Sequence, residues 1–139
     1  MKVIPDTNVW IEFFRNPNVR VDFESRTHRP ILYISSVVVM ELYAGCRTSR
    51  QRESLTKFLK PFEKAERVVG IDDGCFREAG RVLAALGNAG IGNQHRRQNV
   101  NDVLIAVSAS RAGAVVITAN ERDFSAIGRY IPLRWNPPA

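Results

Sequence analysis

Cysteine and histidine are scarce in this sequence, with two residues of each among 139. Cys46, Cys75, His28 and His95 show no zinc-ligand spacing, so we expect no zinc site and interpret the cysteines as free, buried thiols, although a pair remains an alternative. No apolar run approaches the roughly 20 residues that span a bilayer, and the N-terminus lacks the pattern of a secretory signal. These absences predict a cytoplasmic protein that does not enter the membrane.

The size and composition predict one folded domain. The chain has 139 residues, of which 45% are hydrophobic. A chain of this length and composition can bury one sizeable core, and bulk disorder is not expected. We therefore predict a single domain over residues 1–139.

Positive charge exceeds negative charge. Lysine and arginine total 20 against 14 acidic residues, which gives a formal net charge of +6 and a pI near 9.9. The cations cluster at residues 26–29, 47–52 and 95–97. A solvated surface would explain each cluster alone. Together they favour a polyanionic partner such as nucleic acid, although an acidic protein partner would also explain them.

Short apolar segments alternate with longer helical patterns along the chain. The patterns predict strands at 2–5, 32–34, 67–71, 113–118 and 130–133. They predict helices at 7–15, 37–45, 50–60, from 72 or 73 to 86, and 101–113, with Pro61 ending the third and a glycine-rich, basic loop at 87–100. The alternation predicts an α/β sandwich in which helices cover a mainly parallel sheet.

Two acidic residues come after predicted strands. Asp6 comes directly after the first strand, and Asp123 comes after the 113–118 strand. In parallel α/β sheets, ligands bind beyond the carboxyl ends of the strands, so two strands can deliver these acids to one edge. A simple turn is the alternative explanation for Asp6 alone.

Two further acids lie in apolar helices. Asp102 opens the apolar helix "NDVLIAVSASRAG", where it would cap the helix unless Asn101 does so. Glu41 lies in "VVVMELYAG" and shares a helix face with Val37 and Val38, which predicts that its surroundings are largely buried. A buried carboxylate is costly unless it is paired or bound to a cation.

Each acid alone has an ordinary explanation, but the combination indicates a cation site. Carboxylates brought together raise one another's pKa by repulsion, and a divalent cation relieves that repulsion. Mg²⁺ prefers oxygen ligands, commonly one or two carboxylates plus waters. Acids for a metal, surrounded by positive charge for phosphate, are what a metal-dependent nuclease needs.

Four segments in order carry a family resemblance: "DTNVW" at 6–10, "SSVVVMELYAG" at 35–45, "NDVLIAVSA" at 101–109 and "VVITANERDF" at 115–124. With these motifs the chain resembles PIN domains, and within them the VapC-like toxins of toxin–antitoxin pairs, over nearly its whole length. The resemblance implies a three-layer α/β/α sandwich and an endoribonuclease that depends on Mg²⁺ or Mn²⁺.

The resemblance also implies roles for individual residues. The acidic positions of the family fall on Asp6, Glu41, Asp102 and Asp123. Asp6 and Asp102 would be the principal metal ligands, while Glu41 and Asp123 would hold water or a second ion.

Polar positions that support the acids in this family fall on Asn8, Thr118 and Asn120. Turn and helix-cap hydrogen bonds compete closely as an explanation of these three residues.

The implied partners are an RNA substrate, a cognate VapB-like antitoxin and a second copy in a homodimer. Arg96 and Arg97 are candidates for phosphate contacts. Trp10, Phe13 and Phe14 are candidates for the antitoxin contact, with core packing as the alternative.

Other functions stay open at this point. A housekeeping RNA-processing nuclease, or a catalytically silent binding module of the same fold, would share the motifs. A phosphotransfer protein would use Asp6 covalently but leave Glu41 and Asp102 without a role. Residues 87–100 would contact RNA, contact a partner, or form only a loop.

Overall fold

The computed structural model describes residues 1–16, 30–89 and 96–138. Within these ranges, the helices are α1 (Thr7–Arg15), α2 (Ser36–Ala44), α3 (Ser49–Lys64), α4 (Asp73–Asn88), α5 (Arg96–Ala112) and α6 (Glu121–Ile127). The strands are β1 (Lys2–Pro5), β2 (Ile31–Leu32), β3 (Ile34–Ser35), β4 (Val68–Val69), β5 (Val115–Ile117) and β6 (Trp135–Asn136).

All strand pairs in the described residues are parallel. One sheet has the order β2-β1-β5-β6, and β3 pairs with β4. The two ladders meet in residues 31–35, where the Tyr33 amide donates to the Val3 carbonyl (2.9 Å) and the Ile34 amide donates to the Arg67 carbonyl (2.9 Å). The predicted strand at 32–34 therefore lies within one extended stretch. Its first half pairs with β1, and its second half pairs with β4.

Both faces of the sheet are buried, because successive side chains of a strand point to opposite faces. Val3, Val115 and Ile117 pack together with Val9 of α1. Ile4 and Val116 belong to the larger core, which includes α5. This arrangement confirms the predicted α/β sandwich with a parallel central sheet.

The last strand was predicted at the wrong place. Residues 130–133 form no strand, and β6 lies at Trp135–Asn136. Pro132 has no N–H to donate to a neighbouring strand, so strand pairing begins only after this residue. The Val116 amide then donates to the Arg134 carbonyl, and the Thr118 amide donates to the Asn136 carbonyl, both at 3.0 Å.

Pro61 does not end its helix, as the sequence had predicted, because α3 continues to Lys64. Pro61 cannot donate to the carbonyl four residues before it, but it lies near the C-terminal end, where few further bonds depend on it. Phe58 and Phe62 pack against the core on either side of this position, with ring centroids 5.5 Å apart. The packing of these two rings therefore stabilises the helix by more than Pro61 destabilises it.

We expect Pro61→Ala to raise the free energy of unfolding by about 1 kcal/mol. Alanine restores a helical N–H and removes the steric clash, which outweighs the entropy that proline removes from the unfolded chain. Urea unfolding of both proteins measures the difference. Equal or lower stability of the variant would show that the helix is already adapted to proline here.

The helix that carries Asp102 begins earlier than predicted. α5 starts at Arg96, so residues 96–100 are helical rather than part of a loop, while residues 90–95 lie outside the described part of the chain. Five of the six residues at 96–101 are polar, and this conceals the helix, because the continuous apolar run begins only at Val103. Asp102 is consequently in the second turn and does not cap the helix.

Side-chain caps begin two other helices. The Ser35 side chain accepts from the Val37 amide at the start of α2, and Asp72 accepts from the Cys75 amide (2.8 Å) at the start of α4. Within the described ranges, no helix combines the length and apolar character needed to cross a bilayer.

Candidate functional site

β1 and β5 end side by side, and this places Asp6 beside Thr118. Pro5 is in register with Ile117, and the Asp6 amide donates to the Ile117 carbonyl (2.9 Å). Asp6 is only 5% exposed. Its Oδ1 accepts from the Val9 amide at the start of α1 (3.1 Å), and its Oδ2 accepts from the Thr118 hydroxyl. Asp6 is therefore a helix cap and also faces the partner strand.

Thr118 links Asp6 to the next polar residue along the chain. The Thr118 hydroxyl is completely buried, and its oxygen accepts from the Asn120 amide (3.0 Å) while its hydrogen goes to Asp6. A hydroxyl has one donor and two acceptor positions, so both contacts are satisfied at once.

Asn120 joins two of the predicted acids. Its Nδ2 donates to Oδ2 of Asp102 (3.1 Å) and to Oδ2 of Asp123 (2.9 Å). Asp102 is 2% exposed, whereas Asp123 is partly buried in the first turn of α6. The side-chain amide has two N–H groups, so one asparagine holds carboxylates from two helices at the edge of the sheet.

Glu41 is connected to the start of α1 through Thr7, a residue that the sequence did not single out. The hydroxyl of Thr7 donates to Oε1 of Glu41 (2.7 Å), and Thr7 comes directly after Asp6. Glu41 is half-buried rather than enclosed, because α2 exposes part of this face. Thr7 is buried at the first position of α1. Its position next to Asp6 in the sequence is the feature from which its contact could have been predicted.

Asn8 contributes through its backbone rather than its side chain. The side chain is exposed, and within the described ranges it makes no hydrogen bond. The backbone N–H of Asn8, at the start of α1, lowers the pKa of Asp6 and so opposes the effect of burial. Any residue type at position 8 supplies that N–H, except proline.

Burial raises the pKa of Asp6 above its ordinary value. Removal from water disfavours the charged carboxylate, and this effect exceeds the opposing hydrogen bonds from Thr118, Val9 and Asn8. Desolvation makes the ionised carboxylate less stable, and a bound cation would stabilise it because the two charges are opposite.

The donor chemistry fits a hard divalent cation in an open site. The acids supply carboxylate oxygens alone, which Mg²⁺ and Mn²⁺ accept as ligands. Over residues 1–16, 30–89 and 96–138, no group of three or more histidine, cysteine, aspartate or glutamate side chains is placed to hold a metal ion. Mg²⁺ usually keeps several waters and takes one or two carboxylates, so an open arrangement suits it.

The remaining predicted contacts have different positions in the structure. Trp10 is 1% exposed and packs edge-on against Phe13, so core packing explains Trp10. Phe14 is 45% exposed and lines a groove beside the site. Arg96 and Arg97 lie at the start of α5, and their side chains are outside the described part of the structure.

Comparison with known proteins identifies the family. The chain is 27% identical over 136 residues to the tRNA(fMet)-specific endonuclease VapC of Shigella flexneri, covering 98% of this chain and 99% of that protein. The structure is similar to that of DNA-bound VapBC from Salmonella typhimurium, with a TM-score of 0.70, 28% identity, and 100% and 99% of the two chains covered. It shares its fold with VapBC2 of Rickettsia felis, with a TM-score of 0.71, 23% identity, and coverage of 99% and 98%. The model of the PIN domain family matches residues 3–130, and the chain therefore belongs to the PIN domain family.

Proposed function

We propose that this protein is a metal-dependent endoribonuclease and the toxin of a VapBC-type toxin–antitoxin pair. The observation that carries the proposal is that Thr118 and Asn120 link Asp6, Asp102 and Asp123 by hydrogen bonds at the carboxyl edge of the sheet, while Thr7, next to Asp6, holds Glu41. The similarity to a VapC endonuclease along nearly all of both chains supports it. We place this activity in the cytoplasm and in one domain over residues 1–139.

Asp6 and Asp102 are the proposed direct ligands of the cation, Mg²⁺ or Mn²⁺. PIN nucleases generally depend on a divalent cation. When bound, such a cation lowers the pKa of water and offsets negative charge on the phosphodiester and its leaving oxygen. Thr118 fixes the Asp6 carboxylate, and Asn120 fixes Asp102, so both ligands are oriented before the cation arrives.

Glu41 and Asp123 are proposed to handle the attacking water. Thr7 occupies Oε1 of Glu41, so the second oxygen of this half-buried carboxylate is available to orient the water or accept its proton. Asn120 holds Asp123 at the same edge, where its carboxylate accepts a hydrogen bond from water or contributes to a second cation.

The test is cleavage of labelled RNA by purified protein, with Mg²⁺ and with excess chelator. We expect cleavage only with the cation, and a loss of roughly a hundredfold or more in Asp102→Asn. The matched control is Asp73→Asn, an exposed acid on α4 that pairs with Arg77. Full activity in chelator or in Asp102→Asn would refute the proposal.

Thr7→Val is predicted to lower the cleavage rate by about tenfold to a hundredfold, because loss of an outer hydrogen-bond partner costs this much at metal sites. Valine keeps the shape of threonine and removes only the donor to Glu41. The measurement is the cleavage rate as a function of Mg²⁺ concentration.

Thr7→Ser retains the hydroxyl and serves as the control, with cleavage close to that of the unmodified protein. If Thr7→Val cleaves as well as Thr7→Ser, the hydrogen bond to Glu41 has no role in activity.

A groove of about 620 Å³ between α1, α2 and α3 is the proposed site of a VapB-like antitoxin. Its apolar wall includes Ile11, Phe14 and Phe58, and Glu41 lies at its edge. A segment with an apolar face and a basic side chain would fill this groove and reach the acids. Similar structures include VapBC complexes, which supports a partner of this type. We also propose a homodimer.

The alkylation rate of Cys46 is expected to show whether this groove is occupied. Cys46 lines the groove and is half-buried, whereas Cys75 is buried elsewhere in the core. We expect a bound antitoxin to slow alkylation of Cys46 at least several-fold, as measured by mass spectrometry of the folded protein with and without the antitoxin. Unchanged labelling in a stable complex would place the antitoxin on another surface.

The RNA target is proposed to be a structured cellular RNA. The Shigella flexneri relative is named for its specificity for tRNA(fMet). Incubation of the protein with total RNA and mapping of the new 5′ ends identifies the target of this chain.

A further inference from the structure

A stripe of positive charge runs along the solvent-facing side of α3. Leu55 and Leu59 mark the buried side of this helix. Helical spacing of three and four residues places four exposed cations on the opposite side. We call them the α3 stripe: Arg50, Lys57, Lys60 and Lys64.

The stripe is a concentration of charge that composition alone does not explain. The chain contains four lysines, and three of them belong to the stripe. α3 carries five cations and two acids, whereas α4, which has the same length of 16 residues, carries two of each sign. An ordinary solvated helix face mixes both signs, as α4 does.

The cations of the stripe are not used for ion pairs within the described parts of the chain. Elsewhere, Arg77 pairs with Asp73 at 2.8 Å and Arg111 pairs with Glu78 at 3.1 Å. Glu53 lies on the same side of α3 as the stripe, four residues before Lys57, yet the two side chains form no ion pair among the described residues. The stripe therefore presents unneutralised charge to an external anion.

The stripe starts beside the acidic site. Arg50 lines the same groove as Glu41, and the other cations continue along the helix away from that groove. Arg50 and Lys64 are 14 residues apart, which is roughly 21 Å along a helix. This length accommodates several successive phosphates of a nucleic-acid strand.

We propose that the α3 stripe binds the phosphates of the RNA strand beyond the point of cleavage. This inference rests on the proposed function, and it adds the surface that holds the substrate. A lysine ammonium is a hydrated point charge on a flexible stem, so it contacts phosphate without reading the base. The stripe consequently contributes affinity shared by all RNA sequences, and specificity resides elsewhere.

The test is the affinity of labelled single-stranded RNA for the triple variant Lys57→Gln, Lys60→Gln and Lys64→Gln. Fluorescence anisotropy in chelator measures binding without cleavage. We expect the dissociation constant to rise about tenfold at low salt, and the slope of log affinity against log salt to fall by about 2, at about 0.7 per phosphate contact. Glu53→Gln is expected to change affinity in the opposite direction, because it removes a negative charge that lies beside the stripe.

The control carries the same change in net charge on other surfaces: Arg77→Gln, Arg81→Gln and Arg129→Gln. Circular dichroism establishes that each variant is folded. The inference is overturned if the lysine variant binds RNA as tightly as the unmodified protein, if the control loses equal affinity, or if the unmodified protein binds no RNA. Binding through the stripe without cleavage in Mg²⁺ would refute only the proposed nuclease activity.

Discussion

Asp6→Asn is expected to lower RNA cleavage by roughly a hundredfold or more and to raise the melting temperature of the metal-free protein at neutral pH. The loss of activity results from removing a charged ligand. The gain in stability results from the raised pKa of Asp6, because burial of its ionised form disfavours the folded state. Asparagine is neutral, and its side chain still accepts a hydrogen bond from the Val9 amide.

The pH dependence has a definite sign. A raised pKa means that the folded protein binds the Asp6 proton more tightly than the unfolded chain does. The contribution of Asp6 to stability is therefore favourable below its unfolded pKa, near 3.8, and is lost as the pH rises through the folded pKa. The melting-temperature advantage of Asp6→Asn should be greatest at pH 7–8 and shrink towards pH 4.

Thermal unfolding of both proteins across this pH range measures the difference. The other titrating groups are the same in both proteins, so their contributions to the difference in melting temperature cancel to a first approximation. Mg²⁺ should raise the melting temperature of the unmodified protein more than that of Asp6→Asn, since a ligand of the folded state stabilises it. A variant that is less stable at neutral pH than the unmodified protein would contradict the account of Asp6.

Trp10→Ala is expected to lower the free energy of unfolding by about 3–5 kcal/mol. Trp10 is 1% exposed, and its ring lies 5.5 Å from the ring of Phe58 and 5.9 Å from that of Phe62. These contacts hold α1 against α3. Truncation removes a large buried surface and leaves a cavity between the two helices, which costs a large share of the roughly 5–15 kcal/mol that stabilises a typical domain.

Urea unfolding monitored by circular dichroism measures this loss. Phe76→Ala is the matched control, because Phe76 is 56% exposed on α4 and its truncation leaves no enclosed cavity. The control should change stability by about 0.5 kcal/mol or less. Similar losses in the two variants would mean that Trp10 does not anchor the core.

Trp10 also connects stability to the site. It lies one helical turn after Asp6, and the Trp10 amide donates to the Asp6 carbonyl (3.2 Å). Packing of the indole against α3 therefore fixes the start of α1, where Asp6 caps the helix and Thr7 is the first helical residue. A destabilised but folded variant, such as Trp10→Phe, should lose some activity together with stability.

Features that arise from regular geometry were predictable from the sequence. A parallel sheet brings the residues after its strands to one edge, and this rule predicted that Asp6 and Asp123 lie at the same edge. In the structure, Thr118 and Asn120 link these two acids by hydrogen bonds. The order of strands and helices predicted the fold for the same reason. These features depend on local periodicity and on general rules of connection.

Contacts that depend on where helices begin and how they turn were not predictable from the sequence. Asp102 was interpreted as a possible cap because the polar residues before it conceal the first turn of α5. The donation from Thr7 to Glu41 depends on the relative rotation of α1 and α2. The bridge from Asn120 depends on two helices converging. Tertiary packing determines these features, and residue spacing does not encode them.

The central claim is that a cation held by these acids drives attack of water on RNA, and the chemistry of the cut ends tests it most directly. In-line attack by water, with the 3′-oxygen as the leaving group, leaves a 5′-phosphate on one product and a 3′-hydroxyl on the other. Attack by the neighbouring 2′-hydroxyl of RNA leaves a 2′,3′-cyclic phosphate instead. Mass spectrometry of the products made with Mg²⁺ should show 5′-phosphate ends, with cleavage abolished by chelator. Cyclic phosphate ends, or cutting that continues in chelator, would contradict the account.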